Sequence, residues 1–153
     1  MAGGGEPGPG LRWHEEYPLE DTLDALAMTL GARSVSDEAL PAEPPWWLHQ
    51  IVLTSPGHVG LVVGDVGFHG PPAESGRAEV EIGYDVVPAL RGLGIAGRAC
   101  RLVLEQAWRD GADVVGAETD PDNVPSQRVL TGAGFTSLGY FRYVIERPVG
   151  WGA

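Results

Sequence analysis

Glu79 and Glu81 lie two residues apart in the run EVEIGYDVV (79–87). In an extended strand that spacing puts both on one face, together with Asp85, while Val80, Ile82 and Tyr84 fall on the other. Two neighbouring carboxylates can push one pKa toward neutrality, the condition a general base needs. Glu81 is therefore the first candidate for such a base and Glu79 the second. Glu118, at the polar end of ADVVGAETD, is a third. The plain alternative is that all three are solvated strand-face charges. Just downstream, RGLGIAG (91–97) sets Gly92, Gly94 and Gly97 in the G-x-G-x-x-G spacing of a dinucleotide site. The same residues, Arg91 to Ala96, also read R-x-x-G-x-A. Either pattern bares main-chain N–H groups at a helix start, where they and the helix dipole can hold a pyrophosphate without a lysine.

The dinucleotide reading meets three objections. Its strand should be continuously apolar, and EVEIGYDVV is half polar. Pro88-Ala89-Leu90-Arg91 intervenes between strand and glycines. The strands upstream read as an antiparallel meander, where a nucleotide-binding unit should open the domain. Glu118 speaks for it, roughly where the ribose-binding acid is expected about 20 residues on.

The elements that must position these groups follow from periodicity and turn chemistry. WWLHQIVL (46–53) and VGLVVGDVGFHG (59–70) read as strands, the glycines of the second marking a bulge or a close backbone approach. After the loop PPAESG comes the strand over 79–87. Ile95, Ala99, Leu102 and Val103 share a helix face, and Gly111 stops that helix. ADVVGAETD is a buried strand. Asn123 is placed to cap a second helix, with Pro125 in its first turn and Gly132 and Gly134 ending it. FTSLGYFRYVIERP supplies one or two last strands. Near the N-terminus, Leu23, Leu26, Ala27 and Leu30 share a helix face, with Asp21 as cap and Gly31 as stop, and SVSDEALPAEPP reads as a helical turn running into a Pro-rich loop. Residues 1–10 are Gly/Pro-rich and expected to be a disordered tail, leaving one α+β domain over 11–153.

Composition narrows the function classes. The formal charge is −11, with 21 acids against ten bases, all arginine. A phosphate-tracking nucleic-acid binder should be basic, so nucleic acid is not an expected partner. The absence of lysine excludes a Walker A loop. Nine of the acids fall in residues 1–45, either a solvated face or an acidic rim that attracts an amine. A single cysteine, Cys100, cannot form an internal disulfide and reads as a small buried hydrophobe. None of the four histidines pairs with another at helical spacing, so no metal is expected. Without an apolar run near the ~20 residues of a membrane span or a signal-like N-terminus, no membrane partner is expected and the location is cytoplasmic.

The run VEIGYDVVPALRGLGIAGRAC, followed by AETDPDNVPSQRVLTGAGF, resembles the acetyl-CoA-binding core of the GNAT superfamily of N-acetyltransferases. The form N-x-x-S-x-x-V-L-x-x-x-G-F resembles its RimJ/RimL-like branch. The resemblance covers roughly residues 46–146. It implies a mixed, mostly antiparallel central sheet flanked by helices in α/β/α layers. It implies acetyl-CoA as co-substrate and an amine-bearing acceptor, a small molecule or a peptide N-terminus. A non-catalytic acyl-CoA-binding module stays open as the alternative, and so does a homodimer.

By the same resemblance, the backbone of Arg91, Gly92, Leu93, Gly94, Ile95 and Ala96 cradles the CoA pyrophosphate, and Val86 and Val87 pair with the pantetheine arm. Asn123 binds the pantetheine or the acetyl end, or simply caps its helix. Many superfamily members carry a tyrosine seven positions after that asparagine; here the place is taken by Leu130. In the RimJ/RimL-like branch a serine serves instead, and Ser126 matches it, as donor to the leaving thiolate or as a helix-turn residue. Glu146 stands near that branch's late-strand glutamate, about one residue out of register. His69 is assigned to loop packing or to the acceptor cleft, and Tyr84, Tyr140 and Tyr143 to core or pocket wall. The first strand usual in the superfamily is not evident in GLRWHEEYP.

Overall fold

The computed structural model describes residues 7–24, 46–73 and 76–152. The expected helix face at Leu26, Ala27 and Leu30, the stop at Gly31, the turn over 34–45 and tail residues 1–6 lie outside the described residues. Residues 20–24 are helical. The strands are β1 (Arg12–Trp13), β2 (Leu48–Leu53), β3 (Leu61–Phe68), β4 (Glu79–Val86), β5 (Val114–Glu118), β6 (Thr136–Ser137) and β7 (Arg142–Glu146). The helices are α1 (Ile95–Arg109) and α2 (Val124–Gly132).

Among the described residues the strands form one seven-stranded mixed sheet, in the order β1-β3-β4-β5-β7-β6, with β2 also on β3. Four pairings are antiparallel; β1 with β3 and β4 with β5 are parallel. The parallel pair β4/β5 is joined through α1, the crossover a parallel connection requires. This is the expected fold, a mixed sheet flanked by helices.

All eight residues of β3, LVVGDVGF, are buried. Its glycines mark close backbone approach, as anticipated. A Cβ at Gly64 would fall 2.1 Å from Asp85 O, and one at Gly67 would fall 2.3 Å from Trp47 O. In β4 the alternation holds, with Val80 and Ile82 buried and Glu79 exposed.

Helix α1 lays Ala99, Cys100, Val103, Leu104, Ala107 and Trp108 on the sheet. Leu102, expected on that face, is 67% exposed. It sits at the margin of the stripe, over a groove between α1 and β2. The first strand exists after all. Arg12 N–H donates to Gly60 O (2.9 Å) and His14 N–H to Val62 O (3.0 Å). Two residues are too few to show a period-2 pattern, which is why GLRWHEEYP conceals it.

The two faces of the sheet differ in character. Val66 and Tyr84 point toward α1 and α2. Asp65, one residue from Val66, points the opposite way and accepts a hydrogen bond from the Thr22 hydroxyl in helical residues 20–24. Glu79, Glu81 and Gly83 share that second face.

Candidate active site

Pairing between β4 and β5 runs from Glu79/Val114 to Ile82/Ala117 and stops. Beyond Ile82 the two strands separate, β4 into a 3-10 turn at Pro88–Leu90 and β5 into the turn before α2. The seam between them opens into a cleft of about 910 Å³. From the β4 side Tyr84, Val86 and Arg91 line it; from the loop and α1 come Gly92, Gly94, Ile95 and Ala96; from α2 come Asn123, Ser126 and Arg128. Eight of the ten cofactor-side candidates thus meet around one cleft. The other two are elsewhere. Leu93 is at the loop tip, 63% exposed, and Val87 is fully buried with its N–H donated to Val63 O (2.8 Å), turned toward β3.

The loop has the features an anion site needs. Gly94 is the N-cap of α1 with φ +80° and ψ 8°, and no side chain caps the helix. The first helical bond is Arg98 N–H to Gly94 O (3.2 Å), so the N–H groups of Ile95, Ala96 and Gly97 have no partner within the helix. The Arg91 side chain does not face the ligand space as a free cation. Its Nε donates to Val86 O (2.8 Å) and its guanidinium pairs with Asp85 Oδ1 (3.0 Å), tying the loop to the end of β4. The cation of the cleft that the motifs did not disclose is Arg128, one turn into α2. Bare donors at a helix start beside an arginine, next to a strand edge that β5 has left, suit a pyrophosphate with an extended arm, although at Val86 both main-chain groups of that edge are held, the N–H by Asp85 Oδ1 (2.8 Å) and the carbonyl by Arg91.

On the α1/α2 face, Asn123 Oδ1 accepts the Ser126 N–H (3.1 Å), so the asparagine does cap its helix. Ser126 Oγ is 2.6 Å from the Tyr84 hydroxyl, which also donates to Ser126 O (3.2 Å). Burial pushes the Tyr84 phenol up to about 12, the Ser126 hydrogen bond opposing it, so the phenol stays protonated at neutral pH. The position of the missing helix tyrosine, Leu130, is fully buried core. A tyrosine from β4 reaches the serine instead. Spacing within α2 could not reveal it, because the contact joins residues 42 apart in the chain.

On the opposite face, Arg142 of β7 gathers the three carboxylates named from the sequence. It hydrogen-bonds Glu79 and lies 3.9 Å from Glu81 and 3.8 Å from Glu118. His69 Nδ1 is 2.8 Å from Glu81 Oε1. Glu146 is not in this group; it pairs with Arg77 (3.0 Å) at the far end of β7. Tyr140 is exposed and Tyr143 buried.

Two further groups are buried outside the cluster. Burial raises the Asp65 carboxyl to about 6, with Asp85 and Asp21 adding to the rise and the Thr22 hydrogen bond opposing it. Burial likewise raises the Cys100 thiol to about 12. Among the described residues no group of three or more His, Cys, Asp or Glu side chains could hold a metal ion, and no helix is long and apolar enough to cross a membrane.

A family model described as an acetyltransferase (GNAT) domain matches residues 11–136. Among solved structures, the chain is similar to an acetyltransferase (GNAT family) from Bacillus anthracis, at 24% identity over 65% of each chain and TM-score 0.56. It is similar to yncA from Salmonella typhimurium with its cofactor acetyl-CoA, at 23% identity over 60% of this chain and 62% of that one, TM-score 0.52. It is also similar to Mycobacterium smegmatis RimJ in complex with CoA-disulfide, at 20% identity over 92% of this chain and 68% of that one, TM-score 0.58. The match spans less than two thirds of the length of the first two. No curated protein sequence matches the chain. At these identities the solved structures establish the fold.

Proposed function

This chain belongs to the GNAT acetyltransferase family, and from that premise we propose that it transfers acetyl from acetyl-CoA to a primary amine. The acceptor is a small molecule or a peptide or protein N-terminus, and its amine attacks the thioester directly. One observation carries the reading. Groups able to give a proton and groups able to take one stand on opposite faces of the sheet at the same open seam.

Acetyl-CoA, when bound, supplies the activated acetyl thioester. The main-chain N–H groups of the Arg91–Ala96 loop and the start of α1 hold its pyrophosphate, with Arg128 beside them. Val86 and Asn123 at the seam guide the pantetheine, and buried Val87 anchors that strand end. On the helix side, the Ser126 hydroxyl, bonded to the Tyr84 phenol, gives a proton to the departing sulfur. On the other side, the amine loses its proton toward the Glu81 cluster. The net charge of −11 favours a cationic acceptor over an anionic one. The N-x-x-S pattern at Asn123 and Ser126 and the likeness to M. smegmatis RimJ support a place in the RimJ/RimL-like branch. We assign residues 11–153 to one domain with a cytoplasmic location.

The test is calorimetric titration with acetyl-CoA, NADH serving as control, followed by an amine panel read by mass spectrometry. Binding of acetyl-CoA and amine-dependent release of CoA are expected. Binding without transfer to any amine would leave a non-catalytic acyl-CoA-binding module. NADH binding with acetyl-CoA inert would overturn both.

A further inference from the structure

We propose that the atom taking the amine proton is Nε2 of His69, and that Glu81 is the positioning residue that orients it. This rests on the acetyl-transfer reading above and narrows it to one side chain.

The first support is the hydrogen bond. His69 Nδ1 is 2.8 Å from Glu81 Oε1. An ionised carboxylate only accepts, so a neutral imidazole in this contact carries its proton on Nδ1 and leaves the Nε2 lone pair free. The main chain fixes the same relation, with His69 N–H donating to Glu81 O at 2.9 Å.

The second support is where Nε2 lies. A Cβ on Gly83 would fall 2.7 Å from His69 Nε2 and 3.4 Å from Cε1. The ring therefore rests on the strand at a residue without a side chain. Gly83 is also the first β4 residue beyond the last β4/β5 pair, Ile82/Ala117. The free nitrogen stands at the start of the seam, on the face opposite Tyr84 and Ser126. The His69 side chain is 51% exposed, so an amine can reach it from solvent.

The third support is the state of the carboxylates. Arg142 of β7 hydrogen-bonds Glu79 of β4 and lies within 4 Å of Glu81 of β4 and Glu118 of β5. The guanidinium thus engages carboxylate oxygens on all three, whereas the His69 ring spends only Nδ1, on Glu81. Glu81 is left to hold the ring.

The step balances. The amine nitrogen forms the bond to the acetyl carbon, and its proton goes to His69 Nε2. The carbon–sulfur bond breaks with its electrons on sulfur, and sulfur takes a proton from the Ser126–Tyr84 pair. Release of the Nε2 proton to water and return of one to Ser126 restore the enzyme.

Three variants, His69→Gln, His69→Ala and Glu81→Ala, are assayed with saturating acetyl-CoA against an alanine-initiated peptide, spermidine and an aminoglycoside. His69→Gln is expected to lower kcat about a hundredfold, with acetyl-CoA affinity unchanged. Added imidazole is expected to restore part of the His69→Ala rate. Wild-type kcat in His69→Gln overturns the proposal, and so does loss without imidazole rescue in a folded His69→Ala protein. Nitrogen-15 NMR reads the ring independently of turnover. The expected signature is an Nδ1-protonated tautomer that Glu81→Ala, which removes the acceptor, abolishes. If the wild type binds acetyl-CoA but acetylates none of the three amines, it is the transfer reading that fails. The pairing is then judged by NMR alone, where an Nε2-protonated ring, or one indifferent to Glu81→Ala, overturns it.

Discussion

Two glycines of RGLGIAG, Gly94 and Gly97, should respond differently to alanine, and the difference separates the two ligands the spacing suggests. Gly94 has φ +80°, and a Cβ there would meet nothing within 4 Å. The obstacle to a side chain is the left-handed backbone itself, which costs about 1–2 kcal/mol for an L-residue. An alanine loop relaxes away from that conformation and must return to it to present its N–H groups. The same ~1–2 kcal/mol then appears in binding, as roughly 5- to 30-fold weaker acetyl-CoA affinity. Gly94→Glu adds a carboxylate at the helix start, against the charge of a pyrophosphate, and should leave no measurable binding.

Gly97 lies inside α1 without positive φ, and a Cβ there also meets nothing within 4 Å. Gly97→Ala should leave affinity unchanged and stabilise the helix by about 0.5–1 kcal/mol. In a dinucleotide fold the third glycine is needed for close helix–strand packing, so that substitution should be damaging. Calorimetry with acetyl-CoA and thermal denaturation of the variants decide it. Lost binding in Gly97→Ala beside a harmless Gly94→Ala would refute the loop assignment.

Ser126→Ala is expected to lower kcat by tenfold or more with little change in acetyl-CoA affinity, and Tyr84→Phe to follow it more weakly; a pure loss of thermal stability would leave Ser126 a helix-turn residue. Asp65 has its folded value raised to about 6 from an ordinary 3.8, so between those pH values the folded chain holds more protons than the unfolded one, and stability from this group falls as pH rises through that window. Asp65→Asn keeps an acceptor for Thr22, and its melting-temperature advantage over wild type should open between pH 4 and 6 and stay flat above; an advantage independent of pH would contradict the burial argument. Cys100, fully buried and raised to about 12, should ignore a thiol reagent at neutral pH in the native protein and react at once in denaturant.

Much of the cofactor side was legible because local rules govern it. R-x-x-G-x-A, an asparagine cap and Pro125 are short-range signals, and the residues they named meet around the cleft. What stayed hidden depends on contacts between distant segments. Tyr84 finds Ser126 and Arg142 finds Glu79 across 42 and 63 residues, and no spacing rule encodes such a meeting. Asp65 passed as part of an apolar strand because nothing local marks a lone carboxyl that must be closed off by Thr22. Leu102 fits the helical period but lies at the margin of the stripe, where periodicity alone does not decide burial.

The alternation of β4 is what divides the labour of the seam. Glu81 and Gly83 face one side of the sheet, Ile82 and Tyr84 the other, and the strand parts from β5 just where that alternation crosses from the charged pair to the phenol. A slip of one residue would carry the carboxylates into the apolar layer under α1 and put Tyr84 out of reach of Ser126. The register is held by buried Val80 and Ile82 and, against β3, by the tight contact of Gly64 with Asp85 O. The glycines of β3 therefore bear on the chemistry without touching it. Gly64→Ala, whose Cβ would fall 2.1 Å from Asp85 O, must move the splayed half of β4. It should impair both acetyl-CoA binding and turnover while leaving His69 on Glu81, because that contact lies on the half still clamped to β5. Retained affinity in a folded Gly64→Ala protein would show that the seam tolerates a shift in register, and the division of acid and base between the two faces would then need another cause.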